Sequence, residues 1–178
     1  MPLVSSDIEA PIGTAPISLV HPRDMRSEQV IFSFKEYVEL IPIGEHQLIA
    51  GNDPAVWLGN GLSSGLENAG YKVVRIGKIG DSKTRYTVSS ELTQLAIHID
   101  RGFFSSDCVS DVGATVQIFD ASSKVFDKPY DGQYKGSCAI SPADILERAL
   151  DNLLNQAVPE MAGAIAHSAK PSVLSATP

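Results

Sequence analysis

Residues 61–65 read Gly-Leu-Ser-Ser-Gly, a G-x-S-x-G pattern. In serine hydrolases this spacing marks a sharp turn from strand to helix that presents a serine hydroxyl as nucleophile. That chemistry requires a strained turn at Ser63, free backbone N–H groups for the developing oxyanion, and a histidine as general base. The elements around the motif point elsewhere. Asp53-Pro54 is a helix start, because Asp accepts from an unpaired N–H and Pro fits the first turn. From there Ala55, Leu58, Leu62, Leu66 and Ala69 fall on one helical face, and Gly70 supplies the stop. Ser63 is thus in the middle of a helix. The four histidines, His21, His46, His98 and His167, are isolated in loops, strands or the tail. A small hydrolase using Ser63 is the enzyme alternative, and no catalytic residue is assigned. Glycine inside a helix costs about 1 kcal/mol relative to alanine. Gly59, Gly61 and Gly65 therefore imply a close approach, to the sheet or to a partner.

The two cysteines, Cys108 and Cys138, fit a β-hairpin. A turn centred on Ser123 sets Val116 opposite Tyr130, Val112 opposite Tyr134 and Cys108 opposite Cys138, all on one face by parity. The expected arrangement is a cross-strand disulfide, worth roughly 3–4 kcal/mol in the chain-entropy model and implying an oxidising compartment. The alternative is two buried thiols. Two cysteines with no histidine nearby lack metal-ligand spacing, so neither a metal nor a cofactor is expected. Asp107, Asp111 and Asp120 read as a solvated face. Arg101-Gly102-Phe103-Phe104 lies between two long strands. Its aromatics either fold onto the core edge or meet a partner, and Arg101, Phe103 and Phe104 are the candidate partner-binding residues.

The elements that must position these groups follow from periodicity. Ile17 to Val20 is a short strand stopped by Pro22. Gln29 to Phe34 and Tyr37 to Ile41 form a strand pair or one interrupted strand, and Gln47 to Ile49 is a further strand candidate. Tyr71 to Ile76 is a strand after the first helix. Between Arg85 and Ile99 the apolar phase switches, from Tyr86, Val88 and Leu92 to Leu95, Ile97 and Ile99, which predicts a bulge near Thr93-Gln94. Val112 to Ile118 and Val125 to Lys135 are the next strands. Ser141-Pro142-Ala143-Asp144 starts a second helix, whose stripe runs from Ile145 to Met161, with Pro159 expected to kink or end it. The fold class is α+β, a mostly antiparallel sheet with two helices packed on one face. Residues 1–15 are expected to be a flexible leader, 16–165 a single domain and 166–178 a disordered tail.

The 178 residues carry a net charge of −7, with 43% hydrophobic and 20% charged residues. That is a globular composition, and without a basic run nucleic acid is not an expected partner. No apolar run reaches the length of a membrane span, and no signal segment opens the sequence.

From Trp57 onward the chain resembles the YajG-like family of bacterial lipoproteins. The shared features are Leu62, Leu66, Gly70 and Tyr71 closing a helix, then a strand, then Tyr86-Thr87-Val88-Ser89-Ser90-Glu91-Leu92. After these come Tyr130-Asp131-Gly132-Gln133-Tyr134 and a helix rich in Ala and Leu. Upstream, Val20 to Arg26 is similar to the family's early strand followed by D-x-R. The resemblance implies a periplasmic lipoprotein anchored at the outer membrane, with no catalytic residues to assign. Its anchor cysteine would lie ahead of residue 1 and residues 1–15 would be the tether. The same layout is similar to auxiliary lipoproteins of envelope lipid transport and lipopolysaccharide assembly. The expected function is non-enzymatic binding of an envelope protein or lipid, the alternative being an accessory subunit of a lipid or polysaccharide export complex. Oligomeric state is left open.

Overall fold

The computed structural model describes residues 16–38, 41–49, 51, 53–101, 106–137 and 141–169. In chain order the elements are β1 (Pro16–Val20), β2 (Arg23–Asp24), β3 (Val30–Val38), β4 (Ile41–Ile49), α1 (Pro54–Asn68), β5 (Lys72–Ile76), β6 (Tyr86–Arg101), β7 (Ser106–Asp120), β8 (Ser123–Ser137) and α2 (Pro142–Ala169). A single 3-10 turn, Ile79–Asp81, lies between β5 and β6. The main sheet has the order β5-β1-β6-β7-β8, with β2 also paired to β6, and β3 with β4 forms a separate two-stranded sheet. β6, β7 and β8 are antiparallel neighbours, whereas β1 runs parallel to both β5 and β6. The expected α+β layout is the observed one, with a mixed, mostly antiparallel sheet.

One core joins the sheet to both helices. Ile17, Leu19, Val88, Leu92, Val112, Val116 and Ile118 meet Leu58, Leu62 and Leu66 of α1 and Ile145, Leu153 and Met161 of α2. Each fully buried Leu, Ile or Val stabilises by roughly 1.5–3 kcal/mol. The predicted phase switch is a bulge: the β6–β7 register shifts between Leu92 and Gln94, so both Leu92 and Leu95 are buried. α1 has the predicted cap, with the Asp53 carboxylate accepting from Ala55 N–H at 2.9 Å, and ends at Gly70, whose φ of 91° favours glycine.

One expectation needs correction and two are narrowed. First, β7 and β8 join through Ala121-Ser122, with Asp120 opposite Ser123 and a register shift beside Ile118. The tighter turn slides β8 by two residues relative to the Ser123-centred reading. Val116 faces Lys128, Val112 faces Gly132, Ala114 faces Tyr130, and Cys108 faces Gly136. Faces are preserved because the slip is even. Second, of the two readings of 29–34 and 37–41 the interrupted strand is the observed one for Val30–Val38, which is β3 with register shifts beside Phe32 and Tyr37, whereas Ile41 begins its partner β4. Lys35 and Glu36, between the two stretches, are mid-strand, with Lys35 in register with Glu45.

Third, of the kink or end expected at Pro159 the end does not occur, since α2 continues through it to Ala169. Pro159 removes the N–H that would reach Asn155, but both residues are exposed, so water can take the carbonyl. Beyond the proline, the Glu160 carboxylate accepts from Tyr130 O–H at 2.8 Å and Lys128 Nζ at 2.6 Å, and Met161 and Ile165 are buried. Those contacts hold the last turns on β8 and the core. Gly132 permits the docking, since a Cβ there would lie 2.0 Å from the Ala149 carbonyl oxygen.

Candidate binding groove between the helices

Leu58, Leu62 and Leu66 form the row of α1 that enters the core. One residue earlier, Trp57, Gly61 and Gly65 repeat at i, i+4 and form the adjacent row. A Cβ at Gly61 would stand 3.0 Å from Leu154 Cδ1, and one at Gly65 would stand 2.7 Å from Val158 Cγ2. These glycines therefore let α1 approach α2. Gly59 instead faces Pro22, whose Cδ would be 3.0 Å from an added Cβ. The close approach expected from sequence is real, and for Gly61 and Gly65 its object is the second helix.

Two recesses meet at Trp57. One, of about 330 Å³, is lined by Ile31, Pro54, Trp57, Leu95 and Leu146, with Asp53 and Glu147 at its margin. The other, of about 420 Å³, follows the α1–α2 seam past Asn60, Ser64, Asn68, Asp151 and Asn155. Trp57 and Glu147 line both. Trp57 is half-buried, and it is the only tryptophan in the chain. Neither lining includes a Lys, Arg or His. An apolar recess continued by a seam that has Leu150 and Leu154 in its wall and carries Glu147, Asp151 and three asparagines suits a segment that presents apolar side chains with a neighbouring cation.

Ser63 lies beneath this surface. It is 3% exposed, and its hydroxyl donates to Glu67 Oε1 at 3.3 Å within the same helix. His21 stands 3.7 Å from Asp53, and His98 stands 3.2 Å from Asp111 on the sheet face away from the helices. His167 is in the last turn of α2. The G-x-S-x-G spacing thus marks helix packing, with its serine hydrogen-bonded locally. Asp120 is held by Arg85, at 2.8 and 2.9 Å, which lowers its pKa. Asp111 accepts from Gln133 Nε2 at 2.8 Å. Among the described residues, no group of three or more His, Cys, Asp or Glu is placed to hold a metal.

Arg101 ends β6 opposite Ser106, six positions beyond Leu95, or about 20 Å at the rise of a strand. Phe103 and Phe104 lie outside the described residues. Cys108 is 6% exposed on the helix-facing side of the sheet, while Cys138 lies outside the described residues. Sequence reasoning passed over Trp57. The available signal was its position four residues before Gly61, in the same row as the two glycines.

The Asp24-x-Arg26 pair is structural. Arg26 donates to Asp24 from Nε at 2.9 Å, from Nη2 at 2.7 Å and from its backbone N–H at 3.1 Å, with its side chain 3% exposed. These bonds hold the Asp24 pKa down. They fix the turn after β2, where Met25 N–H reaches the Leu92 carbonyl at the bulge.

The described helices include none long and apolar enough to cross a membrane. Many solved structures match the fold, two of them with a TM-score above 0.5 over most of both chains. A hypothetical protein of Chlamydia trachomatis is 11% identical with a TM-score of 0.54, the match covering 86% of this chain and 98% of that one. A protein of Xanthomonas campestris is 13% identical with a TM-score of 0.56, over 91% and 90% of the two chains. At such identity the likeness concerns fold alone. No curated protein matches the sequence. Residues 8–163 match the family described as Uncharacterized lipoprotein. The chain belongs to this family of uncharacterized lipoproteins.

Proposed function

We propose that the chain is a non-catalytic periplasmic binding domain whose α1–α2 face seats a segment of a protein partner. An apolar side chain of that segment packs beside Trp57, and a neighbouring Lys or Arg lies against Glu147 and Asp151. The half-buried Trp57 at the junction of two cavities carries this reading, because a tryptophan in such a position is a typical anchor of binding energy. The buried, helix-internal position of Ser63 supports a role without catalysis.

Within the envelope lipoproteins, the order of motifs from Leu62 to Tyr134 favours the YajG-like group, anchored at the outer membrane by a lipid. Arg101, Phe103 and Phe104 are proposed as a second contact for an envelope protein or lipid. An oxidising periplasm also supports a disulfide between Cys108 and Cys138. Cys108 is in register with Gly136, two positions before Cys138 in sequence. Intact mass after alkylation without reductant should show no modified thiol, and two modified thiols would overturn the pairing.

The groove reading is tested in the native envelope with a photo-crosslinker at Ser64, exposed on the seam. A discrete protein adduct that disappears with Trp57→Ala supports it. An adduct indifferent to Trp57, or none, contradicts it.

A further inference from the structure

The charge of the chain is unevenly placed. Overall it is −7, yet residues 72–85 hold Lys72, Arg75, Lys78, Lys83 and Arg85 against Asp81 alone. This stretch comprises the edge strand β5 and its crossover to β6. The crossover runs over the sheet face away from the helices, where Thr84 Oγ1 donates to Ser18 Oγ at 2.8 Å and Thr87 Oγ1 donates to Ser82 Oγ at 2.7 Å. Register sets Lys72 and Val74 on that same face, level with Pro16 and Ser18.

Two of the basic groups are engaged elsewhere. Arg75, on the helix side by parity, donates to Asn60 Oδ1 at 2.7 Å, and Arg85 is held by Asp120. Lys72 and Lys83 are exposed, and Lys78 is 79% exposed and only 3.9 Å from Asp81. Among these ammonium groups stand two exposed aliphatic side chains, Val74 at 40% and Ile79 at 43%. The acids of β2 and β6 nearby are already paired, Asp24 with Arg26 and Glu91 with Arg23.

We propose that the surface formed by Lys72, Val74, Lys78, Ile79 and Lys83 rests on an anionic phospholipid membrane. The lysines meet lipid phosphates, while Ile79 and Val74 reach the boundary between headgroups and acyl chains. An acidic protein would be matched by the lysines alone. Exposed aliphatic groups set among lysines at a glycine-flanked turn are matched better by an interface that is anionic above and apolar beneath. The contact orients the domain with the crossover against the bilayer and both helices turned away from it. It is independent of the groove, so either can fail while the other stands.

The test is co-sedimentation of the full, unlipidated chain with vesicles of phosphatidylcholine, with and without about one third phosphatidylglycerol. Binding is expected only to the anionic vesicles, falling as salt is raised. Each lysine contributes about fivefold, so Lys72→Glu/Lys78→Glu/Lys83→Glu should weaken binding by about 100-fold or more. Ile79→Ser should weaken it severalfold with charge unchanged. Arg148→Glu, a charge reversal at an exposed position of α2 on the other side of the sheet, should bind as the parent does. All the substituted lysines are exposed, so unchanged circular dichroism will accompany the loss. Equal binding to neutral vesicles, no binding to either, or a triple variant that binds normally would overturn the proposal. Capture of a polyglutamate peptide without vesicle binding would overturn it in favour of an acidic protein surface.

Discussion

Ser63 illustrates how spacing in sequence and position in space can disagree. Its pattern is that of a nucleophile, but its hydroxyl is buried and bonded to Glu67 in mid-helix. Ser63→Ala should leave esterase turnover at background and shift stability by less than about 1 kcal/mol, as expected for one weak local bond. Serine-dependent hydrolysis by the unmodified chain would contradict this. The glycines are the costlier positions. Gly132→Ala forces a methyl into the Ala149 carbonyl and should cost about 3 kcal/mol or more, read as a lowered urea midpoint. Gly65→Ala sets overpacking against Val158 against a helix-propensity gain of about 1 kcal/mol, so its loss should be distinctly smaller. If Gly132→Ala were the milder change, the docking of α2 on β8 would be misread.

At the level of elements, much was legible where one residue type has one structural use. Asp53-Pro54, Gly70 and the leucine row bound α1 because capping and periodicity act locally. The Thr93 bulge was legible because a phase switch has few other causes. The register of β7 with β8 was not, because faces depend only on parity and a slip of two residues leaves the apolar pattern intact. The continuation of α2 past Pro159 depends on Lys128, Tyr130 and Glu160, which meet only in the fold.

That cluster also has a pH signature. Glu160 is held below the ordinary glutamate value by Lys128 and then Tyr130, and Asp24 and Asp120 are lowered by their arginines. Groups with depressed folded pKa values stabilise fully above their unfolded values, about 4 for carboxylates, and lose that contribution as pH falls through the folded values. Thermal stability should therefore decline below about pH 4, and less steeply in Glu160→Gln. An equal acid slope in that variant would remove Glu160 from the account. Burial, and then Glu160, raise the Tyr130 pKa, so its phenol should resist ionisation in alkaline spectrophotometric titration.

On the scale of the whole molecule, the sheet separates two surfaces. Both helices and the Trp57 groove lie on one side, and the crossover carrying Lys78 and Lys83 lies on the other. The groove was hard to read from sequence because its walls come from β3, α1, β6 and α2, which are far apart in the chain. What sequence could offer was the Trp57-Gly61-Gly65 row, masked by the hydrolase-like motif that overlaps it. The central claim is that this groove binds a protein partner. Photo-crosslinking from Ser64 in the native envelope tests it most directly, with the same probe at exposed His98 on the opposite face as control. The account predicts one protein adduct from Ser64, absent from His98 and lost in Trp57→Ala. Identical adducts from both positions, or an adduct from Ser64 that survives Trp57→Ala, would contradict it.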